Sequence, residues 1–125
     1  MINFSEVNIL TLSYIGDAVH TLFIRKKVVE SINLKAGDYH KICTKYCKAS
    51  AQAFVLDALI DNLSIEEQEI ARRARNAKGH KAKNATPIDY KKATAFEAII
   101  GYLYLSEQTN RLNELLEKSY CLIKG

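Results

Sequence analysis

Proline occurs once in these 125 residues, glycine five times and tryptophan not at all. So few chain breakers exclude a collagen-like, low-complexity or turn-rich all-β chain. β-branched alternation is nowhere sustained. There is no run of 18 apolar residues, so no membrane-spanning helix and no membrane role are expected. Cysteine is limited to three, an odd number without framework spacing, which excludes a disulfide scaffold and fits a reducing compartment. The N-terminus, Met1-Ile2-Asn3-Phe4-Ser5-Glu6, lacks a basic region and carries an acid, so it is not read as a secretory signal and the expected location is cytoplasmic.

What is present is helical. Hydrophobic residues make up 48% and charged residues 26%, a globular composition, and the length predicts a single domain over 1–125. Apolar residues recur every three or four positions, which predicts an all-α fold. Six helices are expected: about Val7 to Glu30, Gly37 to Lys48, Ser50 to Asn62, Ser64 to Asn76, Asp89 to Glu107, and Thr109 to Ile123. The fourth opens on Ser64-Ile65-Glu66-Glu67, a capping box. Leu22 of the first helix and Leu122 of the last are expected to face the core. Glu66, Glu67 and Glu69 read as an exposed acidic first turn, where the helix dipole favours them. Residues 77–88 are expected to form the one long loop, mobile in the absence of a ligand.

Net charge is only +4, but it is unevenly distributed. Between positions 72 and 92, eight basic residues face the single acid Asp89, a local net of +7 that leaves −3 for the rest. A weakly acidic body with one basic segment is the footprint of a polyanion-binding surface. Its candidate residues are Arg72, Arg73, Arg75, Asn76, Lys78, Lys81 and Lys83.

Two acids stand in apolar company. Asp17 lies mid-helix beside Ile15, Ala18 and Val19, and Glu97 lies in the most apolar stretch of the chain, Phe96 to Leu105. An unpaired buried carboxylate costs several kcal/mol unless it takes a proton or a cation. Around Asp17 lie Ser13, Gly16, His20 and Thr21, and around Glu97 lie Ala93, Thr94 and Gly101. Small or polar faces of this kind let two helix backbones approach and leave a gap. A gap lined by carboxylate oxygens suits Mg²⁺, which keeps several waters and needs only one or two protein carboxylates. Periodicity leaves a second solution open, in which each acid pairs with a buried base such as Arg25. His20 reads as a hydrogen-bonded core residue, and Cys43 and Cys47 as small hydrophobes on a helix.

The residues Tyr14-Ile15-Gly16-Asp17-Ala18-Val19 resemble the signature of the ribonuclease III family, and Phe96-Glu97-Ala98-Ile99-Ile100-Gly101-Tyr102-Leu103 resembles that family's second catalytic helix. Arg75-Asn76-Ala77-Lys78 and Thr94-Ala95-Phe96-Glu97-Ala98 bring the resemblance closest to the family's stand-alone Mini form. It spans nearly the whole chain and leaves no room for a double-stranded-RNA-binding domain. Ser13 and Thr94 occupy positions where the full-length enzymes carry further acids. The resemblance implies a ribonuclease III endonuclease-domain fold and a Mg²⁺-dependent endoribonuclease acting on double-stranded RNA, with Asp17 and Glu97 as catalytic and metal-binding residues. It further implies 5′-phosphate and 3′-hydroxyl products, precursor 23S ribosomal RNA as substrate, and a homodimer joined through the signature helix, where Tyr14 is the candidate interface residue. Three other readings remain: a non-catalytic RNA-binding protein on the same fold, an all-α nucleotide hydrolase built on the Glu66–Glu69 acids, and a purely structural bundle.

Overall fold

The computed structural model describes residues 2–78 and 85–125. Among them are six α-helices and no strand: α1 (Ile9–Ser31), α2 (Ala36–Cys47), α3 (Ala49–Leu59), α4 (Ile65–Asn76), α5 (Pro87–Leu105) and α6 (Thr109–Lys124).

Local chemistry explains the boundaries. The Asn8 side chain caps α1 by accepting from the Leu10 amide at 3.0 Å. In α4 the predicted capping box is complete: the Glu67 amide donates to Ser64 Oγ at 3.1 Å, and the Ser64 amide donates to Glu67 Oε1 at 2.9 Å. Helix α5 begins at Pro87, two residues before the expected Asp89, because Thr86 caps it and proline at the first helical position costs no hydrogen bond. Helix α3 ends at Leu59, and Ile60–Asn62 tighten into a 3₁₀ turn. The sharp entry to α6 uses Glu107 at a positive φ of 58°.

Helix α5 is central and packs on α1, α3 and α4. Its residues Ala95, Phe96, Ala98, Ile99, Ile100 and Leu103 are fully buried, as the apolar run predicts. A second cluster, Ile24, Val28, Cys43, Tyr46 and Tyr120, joins the end of α1 to α2 and α6. Two expected core residues lie elsewhere: Leu22 is 70% exposed and Leu122 37% exposed. Both stand on helices whose buried stripe is narrower than their apolar content.

A larger correction concerns Glu67. It is only 2% exposed, not a solvated first-turn acid. Arg111 of α6 reaches it with two bonds, Nε to Oε2 at 2.9 Å and Nη2 to Oε1 at 2.8 Å. The capping box thus doubles as an anchor between α4 and α6.

The tightest packing is at the crossing of α1 and α5. A Cβ built on Gly16 would stand 1.7 Å from the Glu97 carbonyl oxygen, and one built on Gly101 would stand 1.9 Å from the Leu12 carbonyl oxygen. Only glycine permits this approach. Ser13 Oγ adds a bond across the same crossing, donating to the Thr94 carbonyl at 2.9 Å.

Candidate functional site

The close crossing brings Asp17 and Glu97 together. They share a cleft of about 300 Å³, lined by Ser13, Tyr14 and Asp17 from α1 and by Tyr90, Thr94 and Glu97 from α5. Asp17 is exposed at the mouth and Glu97 is half-buried, so the expectation that both are buried holds only in part. Gly16 faces α5, and its neighbour Asp17, about 100° further round the helix, stands at the rim.

The two carboxyls face the same cleft, close enough for Asp17 to act on Glu97. Burial, then the neighbouring Asp17 acid, push the Glu97 carboxyl up to about 9. Neither acid takes part in an ion pair among the described residues, so the pairing with Arg25 left open by the sequence does not occur there. Two carboxyl groups in one cleft with no cation paired to them form a fitting donor set for a hard divalent ion. Among the described residues no group of three or more His, Cys, Asp or Glu side chains converges. That suits an ion that keeps most of its waters better than one held in an all-protein cage. The hydroxyls of Ser13 and Thr94 are already engaged with main-chain carbonyls, at 2.9 Å each.

Behind Glu97 lie two residues from other helices. Gln52 of α3 places Nε2 3.5 Å from Glu97 Oε2 and 3.1 Å from His20 Nδ1. His20 is a hydrogen-bonded core residue as expected, with its ring edge-on to Phe96 at 5.1 Å. Burial lowers its pKa to about 4, despite the opposing charge of Asp17, so the imidazole is neutral at physiological pH. Gln52 was not legible as a site residue. Its signal is the one that singled out Asp17: a polar side chain flanked by apolar ones, here Ala51, Ala53, Val55 and Leu56.

The basic segment divides. Arg75, Asn76 and Lys78 are exposed. Arg72 is exposed but pairs with Glu69. Arg73 is committed inward, with Nη1 donating to the Phe4 carbonyl at 2.7 Å and Nη2 to the Val7 carbonyl at 2.9 Å. Lys81, Lys83 and half of the expected mobile loop, residues 79–84, lie outside the described residues. With Glu67 bound to Arg111 and Glu69 to Arg72, the acids that suggested a nucleotide hydrolase are taken up in ion pairs. Cys43 is buried as expected, Cys47 is half-buried and Cys121 exposed. Among the described residues no helix is long and apolar enough to cross a membrane.

The model of the ribonuclease III domain family matches residues 10–108, a span that takes in this all-α fold and both acids of the cleft. A Symbiobacterium thermophilum Mini-ribonuclease 3 is 45% identical over 86% of this chain and 84% of its own length. An Enterococcus faecalis Mini-ribonuclease 3 is 39% identical over 99% of this chain and 95% of its own. A crystal structure of a Fusobacterium nucleatum protein superposes with a TM-score of 0.87 at 29% identity, covering 100% of this chain and 98% of that one. The chain belongs to the ribonuclease III family, in its Mini-ribonuclease 3 group. It is an endoribonuclease for double-stranded RNA, of a metal-dependent family.

Proposed function

We propose that residues 1–125 form one catalytic domain that hydrolyses double-stranded RNA at Asp17 and Glu97 with Mg²⁺, leaving 5′-phosphate and 3′-hydroxyl ends. The observation that carries this reading is the pair of carboxyls delivered by α1 and α5 into one water-accessible cleft. Asp17 and Glu97 would hold the ion. When bound, Mg²⁺ supplies a water of lowered pKa and offsets charge building on the phosphate. Glu97, its carboxyl pushed up by burial, must first give up its proton, so ion binding and proton release are linked. Asp17, at the mouth, is placed to meet substrate, while Glu97 is held deeper by its neighbours. Arg75, Asn76 and Lys78, with Lys81 and Lys83 and a weaker contribution from the paired Arg72, bind the phosphate backbone. Arg73 serves this surface only by fixing its helix.

The working unit is a homodimer. One chain carries one Asp17–Glu97 pair, and two cuts on opposite strands of a duplex need two sites related by a two-fold axis. Tyr14 is 78% exposed and Leu22 70% exposed. With exposed Ala18 between them they form a stripe at four-residue spacing on α1, and that stripe supports the signature helix as the subunit contact. The proposed substrate is precursor 23S ribosomal RNA in the cytoplasm. The test is mapping of RNA ends in total RNA after treatment with the protein and Mg²⁺. New 5′-phosphate ends flanking the large-subunit RNA are expected with the wild type and not with Glu97→Gln. Ends produced equally by both proteins would overturn the assignment.

A further inference from the structure

Gln52 is 3% exposed and His20 2% exposed, and together with Glu97 they bring α1, α3 and α5 to one point. The hydrogen-bond roles follow from the chemistry of the groups. In the metal-binding state the Glu97 carboxylate is ionised and only accepts, so there the amide nitrogen of Gln52, not its oxygen, must face Glu97 Oε2. That nitrogen has a second hydrogen, which points to His20 Nδ1. Nδ1 must then accept, and the ring proton sits on Nε2. With Nδ1 accepting, the imidazole holds the amide in the orientation that meets the carboxylate. Among the described residues Gln52 is the one side chain that donates a hydrogen bond to the Glu97 carboxyl.

We propose that Gln52 is a positioning residue for Glu97: held by His20, its amide orients the Glu97 carboxylate for the metal. This inference rests on the metal-site reading above. A neutral donor suits the task. A buried lysine or arginine would neutralise Glu97 and compete with the cation, whereas an amide stabilises the carboxylate without satisfying its charge. Outer partners of metal ligands act in this way, and their loss costs about 10–100-fold in metal affinity.

The test uses the full-length protein without RNA, then with it. In the first arm Mg²⁺ is titrated while the unfolding temperature is followed, for wild type, Gln52→Met and Glu97→Gln. Gln52→Met keeps the volume and removes the donor. It should need about 10–100-fold more Mg²⁺ for its half-maximal shift, and Glu97→Gln should show no comparable shift. In the second arm, duplex-RNA cleavage by Gln52→Met should show the same displacement along the Mg²⁺ axis with RNA affinity unchanged. Partial recovery at high Mg²⁺ separates a positioning role from a merely structural one. His20→Asn, which keeps an acceptor near the amide, should be milder than His20→Leu. In the wild type, a third arm free of folding effects, the Gln52 side-chain amide resonances should move on adding Mg²⁺. A wild-type Mg²⁺ response in Gln52→Met, or Gln52 resonances indifferent to Mg²⁺ that shifts other site signals, overturns the inference alone. A wild-type Mg²⁺ response in Glu97→Gln overturns the metal-site reading beneath it.

Discussion

Glu67 and Glu97 are both glutamates drawn into the packed interior of one small helical protein, and they are treated in opposite ways. Burial alone would raise the Glu67 carboxyl, but the Arg111 guanidinium and the Ser64 amide outweigh it and hold the group below the ordinary range. Glu97 meets no cation among the described residues. Burial and a second acid push it up to about 9. The first arrangement is closed: every charge has its partner and the helices are tied together. The second is open, a deficit of positive charge kept at a cleft that water can enter. A satisfied carboxylate fastens the fold, and an unsatisfied one is kept for something that arrives from solution.

The largest expected effect falls on the open site. Asp17→Asn or Glu97→Gln should lower duplex-RNA cleavage about a thousandfold or more, ~4 kcal/mol of transition-state stabilisation, while circular dichroism and RNA affinity stay near wild type. Cleavage at wild-type rate by either variant would erase the contrast. Arg111→Met should do the reverse. It strands a buried carboxylate and should cost ~3–5 kcal/mol in urea unfolding, with cleavage by the remaining folded protein intact.

Gly16→Ala should damage both properties together. It forces a methyl group against the Glu97 backbone, and a stability loss of ~3 kcal/mol should accompany lost cleavage. An alanine variant that is stable and active would mean that the α1–α5 crossing is looser than described.

Titration sharpens the contrast, since the two glutamates bend the pH–stability curve in opposite senses. The contribution of Glu67 is complete above its unfolded pKa near 4.5 and is lost as pH falls through its lower folded value. That of Glu97 is complete below 4.5 and is lost as pH rises towards about 9. Without Mg²⁺, Glu97→Gln should therefore flatten the decline on the alkaline side, and Glu67→Gln the decline on the acid side. Unfolding curves across pH 3–10 would show each slope. The smallest effect separates two neighbouring arginines. Arg75→Ala should weaken RNA binding and reduce its salt slope by about one counterion, with stability unchanged. Arg73→Ala should lower stability by ~1–3 kcal/mol with the slope retained.

This contrast also marks what the sequence could disclose. Asp17, Glu97, Gly16 and Gly101 were legible because each breaks a local rule: acids in apolar turns, glycines inside helices. The six helices followed from periodicity, and their edges moved by a few residues where Thr86-Pro87 and the 60–62 turn imposed their own geometry. Glu67 obeyed its local rule, so its burial was hidden. The capping box explains a glutamate there, and the arginine that encloses it lies 44 positions away. Arg73 was hidden likewise, since a basic run does not disclose which member turns inward to carbonyls 66 and 69 residues distant. The exposure of Asp17 depends on helix rotation finer than an apolar neighbourhood can specify.

The glycine crossing has one more consequence. At the level of Gly16 and Gly101 the helices meet main chain to main chain, with no side chain between them. The separation of the two acid-bearing backbones is thus set by a hard stop of peptide atoms rather than by the sum of many rotamers. Core substitutions such as isoleucine for valine can accumulate around α5 without altering that gauge. The tolerance of the site is decoupled from the drift of the core that surrounds it.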